Sequence, residues 1–212
     1  MFVLLAAASI ATAVDAERAF IRDSHTEGQW TAFRKWSDDS AVMFSPQAVW
    51  AHEYLKDLKD PPKSIDWAPA DSWVSCDGRT AINRGPWTSA SGKAHGYFTT
   101  VWMQSHSNWR WIYDGGDVLT VPMALPKAPK VVRASCSNLA RVPATYRGTV
   151  IATEHIAGNA PADAGQGRSA DGTLIYEWKV APDGARHFLA RLWNGRGYRI
   201  ILDQNVAAPQ RR

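Results

Sequence analysis

The 212-residue sequence predicts an α+β fold: N-terminal helices lie on one face of an antiparallel sheet, and a second antiparallel meander follows at the C-terminus. Three observations carry this. Apolar residues recur at helical spacing as far as Leu58, the period changes to two from Ser64, and it returns to two from Thr173 after a Pro- and Gly-rich stretch. The central stretch, Gly78–Gly116, reads as three consecutive antiparallel strands.

In order, Asp15 is the expected N-cap of a helix carrying Ala16, Ala19 and Phe20 on one face, and Gly28 stands where a C′ glycine ends it. A short helix with Trp30, Phe33 and Trp36 follows, then a loop and short strand stopped by Pro46. In AVWAHEYLKDLKDPP, the residues Trp50, Tyr54, Leu55 and Leu58 share a helical face that ends at Pro61-Pro62. SIDWAPADSWVSC is strand-like, with Pro69 marking a bulge or an edge. Asp77-Gly78 and Ser91-Gly92 are turn signals between the strands that follow. Residues 119–172 read as a linker: Pro122, Pro126 and Pro129 come first, YRGTVIATEH holds one candidate strand, and GNAPADAGQGRSADG reads as a flexible loop. The stretch 173–208 is a meander turned at Pro182-Asp183-Gly184 and Asn194-Gly195. FLARLWNGRGYRIILD faintly echoes the earlier YFTTVW…WRWIYD hairpin, as two alternating hairpins do by default.

Composition is that of a globular protein, 45% hydrophobic and 21% charged, with a high count of 11 tryptophans. Residues 1–118 carry 11 basic and 14 acidic side chains, whereas residues 119–212 carry 13 and 6, so the net +4 is concentrated in the second half. Those basic residues are scattered, which reads as solvation and argues against nucleic-acid binding. Residues 1–14 resemble the apolar core of a secretory signal with a small-x-small step at Ala11-Thr12-Ala13, although no Lys or Arg precedes it. The expectation is an exported, periplasmic or secreted protein; a buried N-terminal helix is the alternative. The apolar run falls short of the roughly 20 residues that span a bilayer, so no transmembrane span is expected. Cys76 and Cys136 either pair or remain free thiols, since spacing alone gives no Cα distance.

The order of AERAF, DDSAVMFSPQAVWAHEYL, DWAPADSWVSCDGRTAINRGPW and GYFTTVW…WRWIYDGG resembles the SnoaL-like branch of the nuclear transport factor 2-like proteins over residues 15–118. The resemblance implies a cone, in which a curved antiparallel sheet wraps N-terminal helices around an apolar pocket. Family members include cyclases, isomerases, dehydratases and non-enzymatic binding or dimerising proteins, so the fold implies a pocket without a chemistry.

Within such a cone, strand alternation offers Trp109, Trp111 and Tyr113 on one face of the last strand, and Arg110, Ile112 and Asp114 on the other. The expectation places Ile112 and Asp114 inward. Asp114 then serves as a desolvated acid or base with Tyr54 as proton donor, and Trp67, Asn83, Trp87, Tyr97 and Ile112 contact a small apolar ligand. The bland alternatives are that Asp114 caps the strand end on Gly115-Gly116, Tyr54 is a satisfied buried tyrosine, and the aromatics are core. Both faces of the 97–113 hairpin are apolar, so the face away from the helices requires either a partner subunit, as in a homodimer, or the C-terminal meander. The six histidines show no metal-ligand spacing, and no phosphate loop, dinucleotide fingerprint or nucleophile elbow occurs, so neither metal nor cofactor is expected. The function expected is a small-ligand or protein-interaction module, with an acid/base enzyme of the isomerase, cyclase or dehydratase type as the alternative.

Overall fold

The computed structural model describes residues 11–106, 108–148, 150–151 and 160–209. The apolar run before Ala11, most of the 149–159 stretch and the last three residues lie outside this set.

Helix α1 spans Ala13–Thr26, and its cap is Thr12 rather than Asp15. The Thr12 hydroxyl accepts from the Asp15 N–H at 3.1 Å and donates to its carboxylate at 2.7 Å, so Asp15 acts from inside the first turn. The helix therefore begins before the boundary expected at residue 14, with Ala13 and Val14 both buried. Gly28, at φ +112°, ends it as expected and opens α2, Gln29–Trp36.

Strand β1 (Ser37–Ser45) turns at Pro46 into β2 (Gln47–Trp50), and α3 is only Ala51–Leu55. The helix expected from residue 48 thus loses its first turn to a strand, because Ala48 and Val49 pair with Phe44 and Met43. Strands β3 (Asp66–Trp67), β4 (Asp71–Val74), β5 (Thr80–Thr88), β6 (His95–Ser105) and β7 (Asn108–Val118) follow, with Pro69 in the break between β3 and β4. Strand β8, Lys130–Arg133, lies in the stretch expected to be linker.

These eight strands form one large, curved, mixed sheet in the order β2-β1-β7-β6-β5-β4-β8, with β3 also on β5. It is mixed because β1 runs parallel to β7 and β8 parallel to β4, pairings between segments too distant in sequence for local pattern to reveal. The second sheet is β13-β12-β11-β10-β9: β9 (Val150–Ile151), β10 (Ala164–Arg168), β11 (Leu174–Val180), β12 (Arg186–Trp193) and β13 (Tyr198–Val206). The Ala164–Arg168 segment expected to be a loop is a strand because its whole length pairs with Ile175–Lys179.

The core has two compartments. On the helix side, Phe20 packs against Phe33, Trp67 and Trp102 with centroids 4.8, 5.0 and 6.1 Å away. On the other side, Val42, Ile82 and Val101 join Leu174, Trp178 and Phe188 in one buried cluster. The C-terminal meander thus covers the sheet's second apolar face, which is one of the two covers expected there.

One turn chemistry holds the two sheets in register. In Ser75–Thr80, the Ser75 N–H donates to the Thr80 carbonyl (2.9 Å), Thr80 N–H to the Ser75 hydroxyl (3.1 Å), and Arg79 N–H to Asp77 (2.9 Å). Ser169–Leu174 repeats each bond at 2.9, 3.1 and 2.9 Å, the last from Thr173 to Asp171. The two turns meet: Asp77 N–H donates to Asp171 at 2.7 Å and Cys76 N–H to the Thr173 hydroxyl at 2.8 Å. Beside them Cys76 and Cys136, 60 residues apart, form a disulfide that clips the strap following β8 onto the first turn. Closing a loop of that size contributes about 4 kcal/mol, so replacing both cysteines by serine is expected to lower the unfolding free energy by about that amount in denaturant titrations.

Candidate functional site

Glu17 lies on the α1 face that carries Ala13, Ala16 and Phe20, and it is fully buried. Its Oε1 accepts from Trp67 Nε1 at 2.8 Å, and Oε2 accepts from Trp102 Nε1 at 2.7 Å and Asn83 Nδ2 at 3.2 Å. Burial raises its pKa and the three N–H donors pull it back, leaving it above the ordinary carboxylate value. One carboxyl thereby ties α1 to β3, β5 and β6.

The β6–β7 ladder pairs Val101 with Tyr113 but Trp102 with Trp111, so β7 carries an extra residue at Ile112. This bulge breaks strict alternation. Trp109 and Trp111 pack in the helix-side core, Ile112 and Tyr113 both pack in the meander-side core, and Asp114 returns to the helix side. The expectation that Ile112 would point inward with Asp114 is therefore corrected: the bulge puts Ile112 under the meander.

Asp114 lines a cavity of about 450 Å³, within the size range of small-molecule pockets. Trp30, Phe33, Trp67, Trp87 and Phe98 supply its apolar wall, and Gln29, Asp117 and Arg186 supply polar groups. β7 runs on to Val118, so Asp114 sits in mid-strand and caps nothing. Among the described residues its carboxyl has no hydrogen-bond or ion-pair partner. Burial, and secondarily the charge of Glu17, push its pKa up to about 8. Thr100, directly across in register, has a buried hydroxyl that is also without a partner among the described residues.

Of the expected site residues, Asp114, Trp67, Trp87 and Tyr97 line this cavity. Asn83 does not: it is buried behind the wall, its Nδ2 donating to the Ala13 carbonyl at 2.9 Å as well as to Glu17. Tyr54 does not either. It is 39% exposed on α3, and its hydroxyl accepts from Ser45 at 3.0 Å. With Ala48–Trp50 drawn into β2, the short α3 buries Ala51 and Leu55 and turns Tyr54 outward, which separates it from Asp114. Glu17 and Arg186 were missed. A single acid on an otherwise apolar helix stripe is a readable signal for Glu17; Arg186 had none, because only the folded meander brings it to the cavity. No group of three or more His, Cys, Asp or Glu able to hold a metal occurs among the described residues.

No family model matches this chain, nor does any curated protein. Among solved structures, a candidate Ca/calmodulin-dependent kinase II association domain from Exiguobacterium sibiricum is 15% identical, with a TM-score of 0.37 over 50% of this chain and 92% of that one. A protein of unknown function from the DUF3225 family of Pectobacterium atrosepticum is 14% identical, with a TM-score of 0.40 over 54% and 94%. A candidate aromatic ring hydroxylase from Novosphingobium aromaticivorans is 13% identical, with a TM-score of 0.36 over 51% and 87%. Likenesses this distant carry no argument about fold or activity, and the site is read from its own geometry.

Two outcomes follow. Glu17→Leu leaves three buried N–H donors unpaired and is expected to cost at least about 3 kcal/mol in denaturant unfolding, more than the gain from an apolar side chain returns. Asp114 binds its proton more tightly folded, at about 8, than unfolded, near 3.8. Its contribution is therefore complete below about pH 4, declines between pH 4 and 8, and levels off above. Asp114→Asn should flatten that decline and be more stable than the parent at pH 9; equal slopes would show that Asp114 is not the titrating group.

Proposed function

We propose that this chain is an exported nuclear transport factor 2-like cone of the SnoaL-like kind whose pocket binds a small apolar molecule. The observation that carries the reading is a carboxyl without a partner among the described residues, facing a cavity walled by tryptophan and phenylalanine, where burial pushes its pKa up to about 8. A protonated acid in such a wall donates one hydrogen bond to a carbonyl or hydroxyl oxygen, while the rings enclose the apolar body. Helices gathered on one face of a large mixed sheet support the cone, and the Cys76–Cys136 disulfide and the apolar run that precedes the Thr12 cap support export.

A second reading is favoured by one observation. A carboxyl whose pKa lies near neutrality is matched to proton transfer, so Asp114 alone, without Tyr54, would serve an acid/base step on a bound carbonyl compound. Binding is the primary reading because, among the described residues, the Asp114 carboxyl has no hydrogen-bonded acid or base beside it to relay a proton.

The test is titration with 2-decalone, a neutral bicyclic ketone, read by tryptophan emission. Saturable binding at pH 6.5 that weakens above pH 8, and weakens in Asp114→Leu, is expected. No response at any pH would remove the pocket from consideration as a ligand site. Loss of the ketone's α-hydrogens to deuterated solvent, catalysed by the parent and not by Asp114→Asn, would favour the acid/base reading.

A further inference from the structure

We infer that the ligand is an amphipathic carboxylate: an apolar ring body held by the tryptophan wall, with its anionic end on Arg186. This rests on the pocket binding a small molecule, and it adds the chemical class.

Arg186 opens β12, so the group comes from the C-terminal meander and not from the sheet that forms the pocket. Its Nη2 donates to the Gly116 carbonyl at 2.8 Å, and its guanidinium lies over the Phe44 ring with 5.1 Å to the centroid. Those two contacts orient the group without neutralising it. No described carboxylate forms an ion pair with it: Asp117, in the same cavity wall, instead accepts from the Val118 N–H at 2.8 Å. A guanidinium has five N–H donors in a planar fork, and a hydrogen bond to one carbonyl leaves an edge open for a carboxylate.

The placement also sets a length. Gly116 is two residues beyond Asp114 on the same strand, roughly 6.6 Å at about 3.3 Å per residue. A ligand reaching from the Asp114 hydroxyl to the Arg186 fork therefore needs a rigid body of about two fused rings between an oxygen and a carboxylate. Gly115 and Gly116 line the cavity between the two groups. A Cβ on Gly116 would strike the Tyr97 carbonyl oxygen.

The experiment compares decalin-2-carboxylate with its neutral isostere, decalin-2-carboxamide, by titration calorimetry at pH 6.5 in low salt. In the parent the carboxylate is expected to bind about tenfold more tightly, the scale of one charge-assisted pair. In Arg186→Gln the ratio should fall to about one, while Arg186→Lys, which keeps the charge without the fork, should retain part of it. Near-ultraviolet circular dichroism identifies any variant whose aromatic core has changed, and the parent's ratio decides the matter by itself. Equal affinity of the two probes for the parent, or tighter binding of a quaternary ammonium of the same bulk, overturns the anionic class and leaves the pocket reading standing. Binding of none of the probes overturns both.

Discussion

The structure depends on the Glu17 carboxyl and the three N–H groups it accepts from. Burying a carboxyl among aromatic rings is costly unless its lone pairs are met, and here Trp67, Trp102 and Asn83 meet them from three strands. The penalty of a mismatch makes the arrangement selective. If α1 slid by one residue, Glu17 would lose all three donors at once, so the carboxyl fixes the register of the helix against the sheet more sharply than Ala16 or Phe20 can. Trp67 is also part of the cavity wall, and the bond to Glu17 holds its indole in place. A contact that positions the helix therefore also shapes the site.

The second constraint is that the main sheet is apolar on both faces. A central strand such as β6 alternates Phe98 and Trp102 toward the helices with Val101 toward the meander, and neither row tolerates water. The meander meets the second row, and the paired Ser-x-Asp-Gly turns with their adjacent disulfide fix where it lands. Its landing point has a consequence at the mouth of the cavity, because the same strand that buries Phe188 carries Arg186 to the Gly116 carbonyl. Cover for the sheet and a cation for the pocket come from one element.

Much of this was legible from local pattern. The period of two located β5, β6 and β7, the Asp77-Gly78 and Ser91-Gly92 turns located the connections on either side of β5, and the need for cover on both sides of the hairpin followed from the apolar residues on both faces of 97–113. Four things were not legible, each for a physical reason. The parallel pairings of β1 and β8 are contacts between distant segments whose own residues carry no parallel signature. The strand at Ala164–Arg168 is rich in glycine, and only its partner β11 makes it a strand. At the site, alternation assigned Ile112 and Asp114 to one face, and the extra residue at Ile112 undid half of that assignment while leaving Asp114 where it was expected. Tyr54 failed differently: its helical spacing was real, but strand pairing took the turn that would have aimed it inward.

The bulge is also the strongest sign that Asp114 is placed for use. With unbroken alternation, Trp111 and Asp114 would point to opposite faces, and the carboxyl would be pressed into the meander-side core beside Ile112. One extra residue lets Trp109 and Trp111 keep the helix-side core filled and still returns Asp114 to the cavity three positions later. A strand shaped only for packing gains nothing from that step, since an apolar residue at 114 would suit either face. The carboxyl that results has no partner among the described residues, has its pKa pushed up to about 8 by burial, and lies within two residues of a carbonyl that holds a guanidinium with no ion-pair partner among the described residues. A carboxyl without a partner is unfavourable in an aromatic wall, and a ligand oxygen that accepted its proton would recover that cost.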